Sequence, residues 1–187
     1  MKKFLTILIF ASFWLQPAWT NSIEDFEIEG MSIGNSALEY FNEDNLKTNI
    51  SNPPNLKDSS YSQSCFNRSE NTYDRICVAY KKNSKQKIIE SIQAQIIYNE
   101  DVFHICRKKQ KEIDQELSSI FENLERKDWG ERKLKSIAHI DPKAYFHPIT
   151  YEFPDESRSQ VGCYNIKSET ILKVAVYTYE FGLVISK

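Results

Sequence analysis

Four cysteines, Cys65, Cys77, Cys106 and Cys163, carry the most definite chemistry open to this chain. A catalytic thiolate needs a neighbouring histidine and a setting that lowers the thiol pKa. Cys106 follows His104 by two residues, and on a helix that spacing points the two side chains to different faces. A zinc site would show ligand pairs such as CxxC or CxxH, and the sequence contains neither. Oxidation to disulfides is the chemistry that remains. An even number of cysteines permits three pairings, and spacing alone does not choose among them. A Cys106–Cys163 bridge would close a loop of 57 residues, with roughly 3–4 kcal/mol of stabilisation expected from chain entropy.

The other chemically capable groups are scattered. His104, His139 and His147 lack ligand spacing, and His139 with Asp141 has no second histidine beside it. Glu24, Asp25, Glu27 and Glu29 form an acidic cluster. On a strand, alternation would place Asp25, Glu27 and Glu29 on one face, where charge keeps an edge soluble more readily than it chelates a hard cation. The stretch Arg126–Lys135 is a basic loop around Trp129 and Gly130 that acidic Glu125, Asp128 and Glu131 dilute, so contact with lipid headgroups is a minor expectation. Tyr145, Tyr151, Tyr164, Tyr177 and Tyr179 would line a glycan or peptide groove if one face of a sheet exposed them together. HExxH is missing; GxSxG and SxxK occur only as spacings, at Gly30–Gly34 and Ser84–Lys87, with no histidine in either neighbourhood. These residues nominate no catalytic, cofactor-binding or metal-binding group.

The N-terminus states an address. Lys2 and Lys3 precede a run from Phe4 to Leu15 without charge, Gln16-Pro17 breaks it, and Ala18-Trp19-Thr20 offers a cleavage site. This is the layout of a signal peptide over residues 1–20. The run is too short to span a bilayer stably, and no cysteine follows it for lipid attachment. The expectation is an exported chain, in the periplasm of a Gram-negative bacterium or secreted, in a compartment where thiols oxidise. Residues 21–187 are then enough for one domain with its own core. Removing Lys2 and Lys3 takes the net charge from −2 to −4, which argues against nucleic acid as a partner.

The periodicities predict how this domain is built. Phe26, Ile28 and Gly30 share one side of a short strand over 23–31, and a short helix over 36–48 follows, capped by Ser32 or Asn35. Residues 49–72 are rich in Ser, Asn and Pro and read as one long loop. Strands over 74–81 and 88–98 alternate around a polar turn and form an antiparallel hairpin, with Ser91, Gln93 and Gln95 on its wet side. Val102, Ile105, Cys106, Lys109, Ile113, Leu117, Ile120, Phe121 and Leu124 step by three or four, predicting a helix over 100–126 capped by Asn99 or Asp101. Strands over 146–153, 159–166 and 170–179 complete an α+β fold, an antiparallel sheet packed on one long helix plus a short N-terminal helix. The tail from Phe181 is a last strand or a short helix.

DFEIEGMSIGNSALEYF (Asp25–Phe41), YDRICVAYKKN with IIESIQAQIIYN (Tyr73–Asn99) and CRKKQKEIDQEL (Cys106–Leu117) resemble a group of exported proteins of marine planktonic bacteria. The resemblance implies export and the order strand, helix, hairpin, helix; it implies no activity. A looser likeness is to the small lipoprotein of the outer-membrane β-barrel assembly machinery, carried by the step Gly30-Met31-Ser32 between a strand and a helix. That likeness is one of architecture and transfers no function. The functional expectation is a monomeric, non-catalytic interaction or envelope-associated module with a protein or envelope component as its partner. The alternatives are a hydrolase-type enzyme whose residues converge only in three dimensions, or a small-ligand carrier with an apolar cavity between sheet and long helix.

Overall fold

The structure, a computed structural model, describes residues 22–186 apart from 52, 54, 55, 57, 58, 69–71 and 168. The leader assigned to residues 1–20 lies outside the described residues. Strands β1 (Tyr61–Asn67), β2 (Arg75–Lys81), β3 (Ile89–Tyr98), β4 (Glu125–Asp128), β5 (Arg132–Lys133), β6 (Tyr145–Glu152), β7 (Arg158–Ile166) and β8 (Glu169–Tyr177) form one antiparallel sheet. Its order is β1-β2-β3-β8-β7-β6-β4, with β5 continuing the β4 edge along β6. Helices α1 (Glu43–Thr48), α2 (Phe103–Ile120) and α3 (Tyr179–Ile185) pack around it. The α+β class and the antiparallel sheet under one long helix are as the periodicities predict.

Alternation along the strands gives the sheet two unlike faces. One face carries Ile76, Val78, Ile92, Ala94, Ile149, Val161, Leu172, Val174 and Val176, all buried in the main core. Helix α2 lies on that face against β7 and β8, and the Cys106–Cys163 disulfide ties it down with Cα atoms 5.9 Å apart. Residues 22–48 complete the cover, burying Ile23, Ile28, Met31, Ile33, Ala37, Phe41 and Leu46. The second face is only partly covered. There α3 buries Phe181 against Leu56, Tyr61, Ala79, Ala175 and Tyr177, its first turn capped by Thr178 Oγ1, which accepts from the Phe181 amide.

Several elements differ from the sequence reading for local reasons. The strand over 23–31 is instead a 3-10 turn at Ile23–Asp25 followed by a tight turn in which Ile28 and Met31 exchange backbone hydrogen bonds of 3.0 Å. Glu29 (φ 53°) and Gly30 (φ 75°) occupy its centre, the two left-handed positions a type I′ turn requires. The acidic residues therefore share no strand face. The helix over 36–48 is split into a 3-10 turn at Ala37–Glu39, capped by Ser36, and α1, capped by Asn42. Within the loop read over 49–72 lies β1, whose Ser62, Gln63 and Ser64 conceal its alternation. Helix α2 is shorter than 100–126, and Asp101 does not cap it, because its carboxylate accepts from Asn165 Nδ2 at 2.7 Å. The stretch 126–135 is not a loop but carries β4 and β5. The tail is helix α3.

Candidate functional site

The cysteines pair within elements that already touch. Cys65 and Cys77 face each other across β1 and β2 in register, on the partly covered side of the sheet. Cys106–Cys163 is on the other side, so the described cysteines are all bridged. Two bridges in one small domain match an oxidising, extracytoplasmic compartment.

Beneath α2 the polar residues hold the helix to the sheet. Gln110 is fully buried, and its Nε2 donates to the His147 and Val161 carbonyls at 2.8 Å each, while Arg107 donates to its Oε1. Asp114 accepts both arms of the Arg126 guanidinium, at 2.8 and 2.7 Å, and the Tyr151 hydroxyl at 2.7 Å. Burial pushes the Asp114 carboxyl up, but the bonds from Arg126 and Tyr151 and the Arg126 charge outweigh it and hold the carboxyl below its ordinary value. The Asp114 carboxylate in turn raises the Arg126 pKa. Burial moves the Tyr151 phenol up to about 12. At the rim, His147 Nε2 meets Asp128 Oδ1 at 2.6 Å. Burial again raises the Asp128 carboxyl, and the Gly130 amide and His147 draw it lower on balance. These displaced groups belong to a clamp joining α2, β4 and β6. Ile105 and Ile120, expected on the buried stripe, are exposed, because the stripe turns through Cys106, Gln110, Asp114 and Leu117 instead.

The partly covered face is the one that offers a site. Strand register sets its side chains in rows: Cys65, Cys77, Gln93, Ala175, Gln160 and Thr150 in one, Arg75, Gln95, Lys173, Gly162 and Pro148 in the next. A third row brings Ile171, Tyr164, Phe146 and Arg132 together. With α3, Ser51, Pro53, Leu56 and residues 134–137 as walls, these rows floor a groove of about 430 Å³. It runs on past Leu134, Ser136, Phe146 and Ile185 to Arg132, Lys133 and Lys135.

The chemistry of that groove is one-sided. Arg75 and Lys173 line it, Arg132, Lys133 and Lys135 extend it, and among the described lining residues there is no carboxylate. None of these cations forms an ion pair within the described residues. Aromatic faces hold two of them, Lys173 and Arg132, in place. Lys173 Nζ lies 4.2 Å from the Tyr164 ring centre, and Tyr164 stacks on Phe146 at 5.3 Å. Lys127 and Arg132 both sit over the Trp129 ring, at 3.8 and 4.7 Å, whose Nε1 donates to Thr150 Oγ1. A π face fixes a cation without neutralising it, leaving its N–H groups for an anion.

The residues singled out from sequence are placed unevenly by this geometry. Of the tyrosines expected to share a groove, Tyr164 faces it, Tyr177 is buried behind α3, Tyr145 and Tyr151 lie on the opposite face and Tyr179 is on the outer side of α3. The segment 126–135 separates its charges: Arg126 and Asp128 are spent beneath α2, and Lys127 and Arg132 are left on the groove side. His104 and His139 are exposed and apart from His147, and no group of three or more His, Cys, Asp or Glu among the described residues is arranged to hold a metal ion. Gln63 and Gln160 were missed. The only sequence signal for them is the polar alternation of Gln93 and Gln95, which marks a wet face but not its neighbours.

The chain matches no protein-family model and no curated protein. Among solved structures it is similar to the solution structure of cyanobacterial PsbP (CyanoP) from Synechocystis sp. PCC 6803, at 7% identity and a TM-score of 0.35, over 68% of this chain and 80% of that one. That likeness carries neither fold nor function to this chain. No helix among the described residues is long and apolar enough to cross a membrane.

Proposed function

We propose that the protein is an exported, non-catalytic interaction module of the bacterial envelope, monomeric and periplasmic, that docks an anionic envelope component in the groove on the partly covered sheet face. The observation carrying this reading is the lining itself: Arg75, Lys173, Arg132, Lys133 and Lys135 with no described carboxylate among them. A chain of net charge −2 that concentrates cations on one concave surface has a local field opposite to its overall sign, which steers an anion there. The groups with displaced pKa values under α2, Asp114, Asp128 and Tyr151, are committed to structural bonds, which favours binding over catalysis. The leader-like N-terminus and the oxidised cysteines support the exported setting.

Retention on a sulfated polymer resin near physiological salt tests this. The wild-type protein is retained, and the double variant Arg132→Glu with Lys173→Glu flows through with an unchanged circular dichroism spectrum and melting temperature. Equal retention of the two proteins would remove the groove from the reading.

A further inference from the structure

Resting on the reading of the groove as an anion-docking face, we infer that its ligand is an acidic polysaccharide, a linear glycan bearing carboxylates. Gln63, Gln93 and Gln95 line the floor, and no hydrogen bond among the described residues satisfies their side-chain amides. Gln63 is 6% exposed, and its amide, unpartnered among the described residues, is open to the groove. Amides that line a groove without a protein partner bond water there, and a ligand that displaces that water has to supply both a donor and an acceptor to each.

Each of these amides presents a carbonyl oxygen that wants a donor and an NH₂ that wants an acceptor. A hydroxyl is both at once, and neighbouring hydroxyls on a sugar ring answer both ends of one amide. A bare polyanion supplies acceptors only and leaves the glutamine oxygens empty. An acidic peptide would satisfy a sheet through main-chain pairing at an edge, but the groove is floored by side chains, and residues 49–51 already pair with the β1 edge through Ser51 N to Gln63 O and Cys65 N to Asn49 O. Neighbouring strands repeat at about 4.8 Å and alternate residues along one strand at about 7 Å, the scale of a pyranose ring. The Phe146–Tyr164 stack bounds the groove on the side of the cations. Gly162 lets the Tyr164 ring lie across the Lys173 row, since a Cβ there would meet that ring at 3.0 Å. The floor thus reads hydroxyls while Arg75, Lys173 and Arg132 read carboxylates.

Titration calorimetry of the full chain against polygalacturonate, polyglutamate and neutral dextran separates this inference from the reading beneath it. Polygalacturonate binds, dextran does not, and Gln93→Ala with Gln95→Ala weakens polygalacturonate about tenfold, the loss expected for two hydrogen bonds. The same double variant leaves polyglutamate binding within about twofold. The Gln93 and Gln95 side chains reach the groove from the sheet surface without a hydrogen bond to any described residue, so the double variant folds as the parent does, and Gln63→Glu, which keeps size but adds charge, is a second probe expected to repel the polymer. If polyglutamate binds as tightly as polygalacturonate and the glutamine variants change neither, the glycan inference fails and anion docking stands. If no anionic polymer binds, both fall.

Discussion

Replacing Asp114 by alanine removes the centre of the clamp under α2. The carboxylate accepts three hydrogen bonds, two from Arg126 and one from Tyr151, and its side chain is 13% exposed against 38% for Arg126. Charge-assisted bonds contribute about 1.5–3 kcal/mol each when buried, but Arg126 reaches water and recovers part of its loss. The net cost expected is about 3 kcal/mol, a fall in melting temperature of roughly 6–12 °C for a chain of this size. The cost depends on pH with a definite sign. Because the folded Asp114 pKa lies below its ordinary value, its stabilisation is complete above the unfolded carboxyl pKa of about 3.9 and disappears as the pH falls through the lower folded value. Denaturant unfolding of parent and variant from neutral to strongly acid pH should therefore show a constant gap that closes only in acid. A cycle with Arg126→Met should return a coupling of about 1–2 kcal/mol. A gap below about 1 kcal/mol at neutral pH, or one that acid leaves unchanged, would refute the clamp.

Two further outcomes follow from the packing. Replacing Cys106 and Cys163 by serine should cost about 4 kcal/mol, against about 3 for Cys65 and Cys77, because the loops they close span 57 and 12 residues; paired denaturation curves under oxidising conditions check the order. Phe181→Ala removes a fully buried ring packed edge-on to Tyr61. It should cost about 3–5 kcal/mol and free α3 from the sheet, read as loss of near-ultraviolet dichroism and faster amide exchange over 179–185.

Much of this architecture was legible because burial imposes a period. The hairpin of β2 and β3 and the three C-terminal strands show their alternation openly, and α2 repeats at helical spacing. What was hidden is polar where a period needs apolar residues. In β1, Ser64 is buried by bonding to the Leu46 carbonyl and the Tyr80 hydroxyl, so no hydrophobic residue marks its inward position. In α2, Gln110 and Asp114 occupy the buried line that Ile105 and Ile120 were expected to hold. The groove was illegible for another reason. Gln63, Gln95, Gln160 and Lys173 belong to four strands, and they become neighbours only through a register that no local pattern encodes.

The strand that joins the two halves of the sheet follows the other seven in the chain. Residues 169–177 stand between β3 and β7, so every earlier segment waits for them before the interior closes. Until that strand is in place, β1–β3 and β4–β7 are two detached units with long-range pairings unmade, a state that closes slowly. A molecule closed in this way is intolerant of any truncation that removes residues 169–177.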